Sequence, residues 1–287
     1  MKRVAISGAS GYVGSLLSRH FEDAGWDVTR LSHTSSGGDM DTVPFRLGED
    51  VAADLFRSRQ ISALVHCAYD FRLVKPVEIH RVNVEGSRKL LEAAKAGGVD
   101  RIVVISTISA FEGCTSTYGR AKLEIEAAAT SVGALVVRAG LVYGDGAATA
   151  GGMFGSLVKS VQPAVVPLID GGIHPQYLIH EEDLWLLVKG FFEGRVRDPG
   201  MPVVAAAPRA WPLRDLLAEL ARRERRRPKF VAVPWRPVWA ALRLAEALHL
   251  QVPFRSDSVI SLVHQDRNPD FKSLATAGIT ARDFPAS

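Results

Sequence analysis

A tyrosine and a lysine stand four positions apart in the segment "YGRAK", as Tyr118 and Lys122. Residues four apart lie on the same face of a helix, so the two side chains would be neighbours if this segment is helical. An ammonium close to a phenol stabilises the phenolate, which lets the tyrosine give or take a proton near neutral pH. The same spacing is common by chance, so the elements around the pair decide between a catalytic pair and two ordinary helix residues.

Composition and charge limit the classes of protein to consider. The chain has 287 residues, of which 47% are hydrophobic and 23% charged, as in folded globular proteins. The formal net charge is +4, and much of the excess lies in "ARRERRRPK" at 221–229, which is typical of a solvated helix end. We expect no nucleic-acid partner, because no groove-reading motif accompanies this segment. A basic surface would also suit a phosphorylated cofactor or substrate.

Metal, disulfide and membrane sites are not predicted. The two cysteines, Cys67 and Cys114, do not make a disulfide framework. The eight histidines form no H-x-x-x-H or H-E-x-x-H motif. The chain has no apolar run of about 18 residues that could span a membrane, and "MKRVAISG" begins a strand rather than a signal peptide. We therefore expect a cytoplasmic protein without a membrane partner.

Short β-branched segments alternate with amphipathic helical patterns in the first half of the chain. Helices are predicted at 14–25 and 83–98, and strands at 3–7, 27–32, 63–68, 101–106 and 134–139. Alternation of strands and helices predicts an α/β fold with a Rossmann-type, doubly wound parallel sheet.

A glycine-rich loop follows the first strand and precedes the first helix. In "SGASGYVGS" the residues Gly8, Gly11 and Gly14 have the spacing G-x-x-G-x-x-G. Glycines permit a tight turn and the close approach of a pyrophosphate, while the helix N-terminus supplies free amides and a positive dipole. In this strand–loop–helix context the motif predicts a dinucleotide-binding loop.

The second strand indicates which dinucleotide is bound. An acidic residue at its end would bind the ribose 2′-hydroxyl and disfavour a 2′-phosphate. The segment "VTRLSHTSS" has no carboxylate there; Arg30 offers charge, and hydrogen-bond donors are available on Ser32, His33, Ser35 and Ser36. We therefore expect NADP in preference to NAD. The alternative is that Arg30 and His33 are only surface residues.

Hydroxyl groups stand at the end of the fifth strand, in "ISTISAF". Ser106, Thr107 or Ser109 could polarise the oxygen of a substrate. The order of glycine loop, strand-end hydroxyl and Y-x-x-x-K favours a catalytic role for Tyr118 and Lys122 over a chance spacing.

These segments resemble the extended short-chain dehydrogenases/reductases, the NAD(P)-dependent epimerase/dehydratase group. The resemblance covers about residues 1–195 and rests on "GASGYVG", "VHCA", "NVEGSRKLLEAA", "VVISTISAF", "YGRAK", "VVRAGLVYG" and "LIHEEDL". It implies that Tyr118 is the catalytic acid/base, that Lys122 binds the nicotinamide ribose, and that Thr107 contacts the substrate oxygen. It also implies a cofactor site that includes Gly8, Ser10, Gly11, Tyr12, Val13, Gly14, Leu47, Cys67, Ala68 and Tyr69. Two further residues, His180 and Asp183, match a motif that anchors and caps a helix.

The second half of the chain departs from the alternating pattern after about residue 145. We assign 1–145 plus about 181–207 to a dinucleotide-binding domain, and about 146–180 plus 208–287 to a smaller C-terminal substrate lobe. A helix containing Trp235, Trp239 and Leu242 has three open interpretations. It packs on the core of the lobe, which we favour, or forms an apolar wall of the substrate pocket, or lies on a membrane surface.

Departures from the family pattern bear on the substrate. Leu141 stands where nucleotide-sugar enzymes often carry Asn, and Pro175 and Gln176 stand where an Arg-Asp pair often holds a nucleotide diphosphate. Arg255 could still meet a phosphate. These departures slightly favour a carbonyl reductase or dehydrogenase acting on a sugar-like or other alcohol or ketone.

Two alternatives stay open. One is a nucleotide-sugar epimerase or dehydratase with tightly bound NAD. The other is a non-catalytic NADP-binding sensor or scaffold, which the intact Tyr118/Lys122 pair disfavours. The resemblance further implies a homodimer through helices at 83–97 and 118–132.

Overall fold

The computed structural model describes residues 2–33, 41–144, 152–248, 250, 254–266 and 268–285. In chain order, the strands of these residues are β1 (Arg3–Ser7), β2 (Asp27–Ser32), β3 (Thr42–Pro44), β4 (Ala63–His66), β5 (Arg101–Thr107), β6 (Leu135–Ala139), β7 (Leu141–Tyr143), β8 (Val165–Ile169), β9 (Pro175–Gln176), β10 (Leu178–His180), β11 (Val203–Ala205), β12 (Trp211–Pro212) and β13 (Lys229–Val233). The α-helices are α1 (Tyr12–Asp23), α2 (Asp54–Ser58), α3 (Pro76–Ile79), α4 (Glu85–Ala96), α5 (Thr117–Ser131), α6 (Gly152–Ser160), α7 (Glu181–Phe192), α8 (Leu213–Arg223), α9 (Trp235–Ala247), α10 (Ser256–Val263) and α11 (Lys272–Thr276). A π-helical turn, His80–Val84, joins α3 to α4.

Seven strands form one parallel sheet in the order β11-β6-β5-β4-β1-β2-β3. The chain builds the sheet outward in both directions from β1, and sheets of this kind bind ligands at the carboxyl ends of the strands where the direction changes. The predicted Rossmann-type parallel sheet is therefore confirmed. One boundary is wrong: β4 ends at His66 rather than at residue 68, so Cys67 and Ala68 follow the strand. The strand β3 was missed because its three residues are too few to show a period.

Helices cover both faces of the sheet and bury the apolar stripes that the sequence showed. On one face α1 contributes Leu16, Leu17 and Phe21 to the core that it shares with α7. On the other face α4 and α5 form a second core with the sheet. The helix α1 ends two residues before Gly25, whose φ of 76° is the left-handed conformation that favours glycine after a helix.

The later part of the chain forms a third apolar core above the carboxyl ends of the strands. Three two-stranded sheets surround this core, pairing β7 with β10, β8 with β13, and β9 with β12. The C-terminal segment then returns to the main sheet, where Leu274 and Ala277 are buried and Val204 donates a backbone hydrogen bond to Ser273 at 2.9 Å. The division into a dinucleotide-binding domain and a substrate lobe at the boundaries given above stays a prediction.

The helix α9 corrects the interpretation that we favoured for it. None of its residues is buried, so it does not pack into the core of the lobe. Its Trp235 and Trp239 are half-buried, and the Trp235 ring contacts His264 edge-on at 5.7 Å just after α10. No helix among the described residues is both long and apolar enough to cross a bilayer.

Candidate functional site

The glycine loop folds tightly onto the carboxyl end of β4. Gly8 has a φ of 70°, and a Cβ atom there would lie 2.8 Å from the backbone of Ala68. A Cβ atom on Gly14 would lie 2.2 Å from the carbonyl oxygen of Gly8. Gly11 donates a backbone hydrogen bond to that same oxygen at 2.9 Å. Glycine is therefore required at position 8 because of the left-handed backbone conformation there. It is required at position 14 because the helix backbone comes too close to the Gly8 carbonyl oxygen to leave room for a side chain.

The start of α1 leaves its first amides without side-chain partners. Gly11 is the N-cap residue and makes no side-chain cap, and the first turn holds no acidic residue. Gly11 and Ser10 are exposed, so an anion can reach these amides. The Tyr12 side chain packs against Gly152, and Val13 packs against the core, so each can offer a cofactor its backbone amide. This loop fits a dinucleotide pyrophosphate.

A buried histidine links the strand before the loop to α4. The Nδ1 atom of His66 lies 2.6 Å from the Ser7 hydroxyl, and its Nε2 atom lies 2.8 Å from the Ser87 hydroxyl. Ser87 donates its only proton to the Asn83 carbonyl oxygen, so His66 carries its proton on Nε2 and accepts from Ser7. Burial, with a smaller effect from the charge of Lys122, lowers the pKa of His66 to about 3. The ring is therefore neutral at physiological pH, and no sequence motif pointed to this role.

Cys67 and Tyr69, which follow β4, lie between the glycine loop and Lys122. Burial raises the pKa of the Cys67 thiol to about 12, against an opposing effect of the Lys122 charge. The Lys122 ammonium lies 5.2 Å from the centre of the Tyr69 ring. The glycine loop, the end of β4 and α5 therefore meet at one place, as a dinucleotide site requires.

Tyr118 and Lys122 lie one turn apart on α5, as predicted. Tyr118 lies beside Thr107, the last residue of β5. Burial raises the pKa of Tyr118 to about 12, and interaction with the Thr107 side chain opposes this rise. The Tyr118 ring contacts Tyr69 edge-on at 5.1 Å and Phe71 at 5.5 Å.

Lys122 is buried and donates a hydrogen bond to the Ile105 carbonyl oxygen at 3.0 Å. Burial lowers its pKa to about 8, although the charges of Cys67 and Glu126 oppose this change. We expected Lys122 to lower the pKa of Tyr118. In this structure burial and Thr107 determine that pKa instead, because the ammonium is directed at the end of β5 and the Tyr69 ring.

The structure distinguishes the three strand-end hydroxyls. Ser106 is buried and donates to the Glu126 carboxylate at 2.5 Å, and Arg138 donates to the other oxygen of that carboxylate at 2.7 Å. Ser106 therefore belongs to a buried ion-pair network beneath α5. Thr107 lies beside Tyr118, and Ser109 lines the adjacent pocket. The role of Thr107 in contacting a substrate oxygen stays a prediction.

The amides at the start of α5 are bound by a residue that the sequence analysis missed. Asp257, on α10, accepts a hydrogen bond from the backbone N–H of Thr117 at 2.7 Å. Its other oxygen accepts from the N–H of Tyr118 at 3.0 Å. No local motif marks Asp257, because its partners lie 140 and 139 positions away.

The adenosine side of the site is less completely defined. The Arg30 guanidinium is ion-paired with Glu22, while Ser32 is buried and His33 is exposed. Leu47 is half-buried beside Gly86 at the start of α4. Two further predicted donors, Ser35 and Ser36, lie outside the described residues.

A pocket of about 420 Å³, part of it open to solvent, lies between the end of β5 and the lobe. Its lining residues are Ile108, Ser109, Leu141, Pro175, Gln176, Tyr177, Gln265, Asp266 and Pro269. Arg255, which we expected to be able to meet a phosphate, has other partners. It donates to Glu246 at 3.1 Å and to the Phe71 carbonyl oxygen at 3.3 Å. Arg255 therefore joins the lobe to the segment after β4.

The motif at β10 and α7 has the anchoring role that was inferred. His180 is the N-cap residue of α7, and its Nδ1 atom accepts from the Glu182 N–H at 3.2 Å. Asp183 is buried and accepts from the Arg282 guanidinium at 2.7 Å. In the part of the chain that the structure describes, no three His, Cys, Asp or Glu side chains are grouped so that they could hold a metal ion.

Residues 4–168, more than half of the chain, match the NAD dependent epimerase/dehydratase family. The chain belongs to this family. It is 29% identical over 188 residues to a ceramide reductase of Caulobacter vibrioides, covering 63% of this chain and 57% of that one. It is 31% identical over 163 residues to a UDP-glucose 4-epimerase of Streptomyces lividans, covering 46% and 50%. The chain thus spans about half the length of these curated relatives.

Solved structures are similar in fold to this protein over nearly its whole chain. The structure of MoeE5 in complex with UDP-glucuronic acid and NAD has a TM-score of 0.67 at 21% identity, covering 96% of this chain and 97% of that one. The UDP-glucose 4-epimerase of Thermotoga maritima has a TM-score of 0.66 at 17% identity, covering 91% and 96%. At these identities the likeness establishes the fold.

Proposed function

We propose that this protein is an NAD(P)-dependent oxidoreductase of the extended short-chain dehydrogenase type, which transfers hydride at an alcohol or ketone carbon. The observation that carries the proposal is the position of Tyr118 beside Thr107, at the carboxyl end of β5. Lys122 follows one turn later on the same helix, and the glycine loop lies across β4. A proton donor, an oxygen-binding hydroxyl and a dinucleotide loop therefore adjoin one crevice.

The bound cofactor would supply the hydride from its nicotinamide ring. The hydroxyls of Thr107 and Tyr118 would bind the carbonyl oxygen, and Tyr118 would donate its proton as negative charge develops there. A pKa of about 12 keeps Tyr118 protonated at neutral pH. Transfer remains favourable because an alkoxide is a stronger base than a phenolate. Lys122, with a pKa of about 8, would bind the nicotinamide ribose.

We further propose that NADP is preferred over NAD. The end of β2 carries Ser32 and His33 and no carboxylate, which permits a 2′-phosphate. The pairing of Arg30 with Glu22 means that a phosphate would have to compete for that guanidinium. The test is a titration of purified, cofactor-free protein with NADPH and with NADH, followed by nicotinamide fluorescence. Tighter binding of NADPH than of NADH supports the preference, and tighter binding of NADH overturns it. If the protein binds neither cofactor at micromolar concentration, the result contradicts the enzyme proposal itself.

A nucleotide-sugar epimerase with tightly bound NAD is the second candidate. The names of several relatives favour it, because they are UDP-glucose 4-epimerases. Two other relatives are named as reductases, a ceramide reductase and a putative dihydroflavonol 4-reductase, which favours the first candidate. NAD that copurifies with the protein and is not released by dilution would support the epimerase. Cofactor binding without turnover of any carbonyl compound would support a non-catalytic sensor or scaffold.

The remaining expectations are a cytoplasmic location and a homodimer through helices at 83–97 and 118–132. The Nε2 atom of His80, in the turn before the first of these helices, lies 3.1 Å from the Oε2 atom of Glu124 on the second. The neighbouring Val77 is largely exposed there. Light scattering of the purified protein would give the mass of a dimer if the proposal holds, and of a monomer if it does not.

A further inference from the structure

Two aromatic rings contact the ring of Tyr118. Phe71 contacts Tyr118 at 5.5 Å and Tyr69 at 4.8 Å between ring centres, and Tyr69 contacts Tyr118 at 5.1 Å. Phe71 is nevertheless 65% exposed. A large apolar ring therefore stands open to solvent directly beside the proposed proton donor.

The two arginines beside Phe71 are already bound. Arg72 donates to Asp70 at 2.7 Å, and Arg255 is held by Glu246 and the Phe71 carbonyl oxygen. The described residues that line the pocket beside Ser109 include the acidic Asp266 and no lysine or arginine. A nucleotide diphosphate brings negative charge that needs cationic partners when it leaves water. This side of the site is therefore better suited to an uncharged molecule.

Exposed apolar side chains continue outward from Phe71. Arg255 joins two segments here, the one after β4 and the one after α9. Val74, the residue after Leu73, is 45% exposed, and Phe254, the residue before Arg255, is 37% exposed. We call Phe71, Val74 and Phe254 the apolar mouth. Clusters of exposed apolar side chains on soluble proteins commonly mark binding sites, and this one adjoins the proposed catalytic hydroxyls.

We propose that the substrate is a ketone, or the matching secondary alcohol, attached to an uncharged aliphatic or aromatic group that lies on the apolar mouth. This inference rests on the function proposed above and adds the class of substrate. In the reducing direction, hydride goes from NAD(P)H to the carbonyl carbon and the Tyr118 proton goes to the carbonyl oxygen. The products are the secondary alcohol and NAD(P)⁺, and a solvent proton restores Tyr118.

The test uses methyl ketones of increasing chain length, from butanone to decanone, with NADPH or NADH as the reductant. Because each buried methylene strengthens binding, kcat/KM should rise about two- to fourfold per added methylene until the mouth is covered. Phe71→Ser should flatten this dependence. The matched control is Met201→Ser, since Met201 is 53% exposed and precedes β11 at the opposite, amino end of the strands. This control should leave the dependence unchanged.

Two outcomes would overturn the inference while the oxidoreductase function stands. One is turnover of ketones that does not depend on chain length or on Phe71. The other is micromolar binding of UDP-glucose together with weak binding of decanone. A second readout separates the inference from the function, namely calorimetric binding of the same ketones to the Tyr118→Phe variant. If affinity rises with chain length there but wild type turns over nothing, the apolar site stands and the catalytic proposal fails.

Discussion

Asp257 accepts a hydrogen bond from the backbone N–H of Tyr118 at 3.0 Å, although 139 positions separate the two residues in the chain. The same carboxylate also accepts from the N–H of Thr117. A carboxylate at a helix N-terminus satisfies free amides and interacts favourably with the helix dipole. The proposed catalytic helix therefore begins where a residue of the C-terminal region holds it, so the position of Tyr118 depends on that contact.

Replacing Asp257 with alanine should affect both stability and turnover. Losing the contact should cost about 1–2 kcal/mol of unfolding free energy and lower kcat about tenfold, because small displacements of a reacting group slow chemistry strongly. Chemical denaturation and initial rates measure the two effects. Asp215→Ala is the control, since Asp215 lies exposed in the first turn of α8, away from Tyr118. Equal behaviour of both variants would contradict a positioning role for Asp257.

Tyr118→Phe should lower kcat by about 10²- to 10⁴-fold, which is the usual contribution of a positioned general acid. Folding and cofactor affinity should be retained because the ring contacts with Tyr69 and Phe71 remain. Tyr143→Phe is the matched control. The Tyr143 hydroxyl is buried and has no hydrogen-bond partner among the described residues, so its removal should cost neither activity nor stability. Unchanged turnover in Tyr118→Phe would show that another group donates the proton.

The buried His66 predicts a loss of stability in acid. Its pKa is lowered from 6.5 to about 3 in the folded protein. Between these values the unfolded chain binds one more proton than the folded one, so stability falls as pH decreases from 6.5 toward 3, by at most about 1.4 kcal/mol per pH unit from this group. Urea denaturation at several pH values measures the slope. His66→Gln should flatten it, whereas His33→Gln, at an exposed position, should not; equal slopes in all three proteins would contradict the assignment.

Breaking the ion pair beneath α5 should be costly. Glu126 is buried and binds both Ser106 and Arg138, so Glu126→Gln should lower the unfolding free energy by about 3 kcal/mol. The variant also removes a charge that raises the pKa of Lys122, so that pKa should fall further below its ordinary value. Thermal unfolding and the alkaline limb of the pH–rate profile report these effects.

The control for this prediction is Glu92→Gln. Glu92 pairs with Arg88 on the exposed face of α4 at 2.8 Å, and exposed pairs contribute about 0–1 kcal/mol. If Glu126→Gln were as mild as this control, the buried pair would not support α5.

The parts of the site that the sequence predicted are local. The glycine loop, the two residues one turn apart on α5, and the hydroxyls at the end of β5 each lie within one strand–loop–helix segment. Periodicity, turn chemistry and spacing act over a few residues, so they determine these features wherever the segment folds. The parallel sheet follows from the repeated alternation of such segments.

The tertiary structure decided what depends on distance and burial between remote segments. It placed Ser106 with Glu126 and Arg138, and it placed Thr107 beside Tyr118. It gave Arg255 partners in Glu246 and Phe71. A pKa is set by desolvation and by charges a few ångströms away, and neither can be obtained from residue order. The sequence therefore determined which groups are available for chemistry, while packing determined which of them meet and in what protonation state.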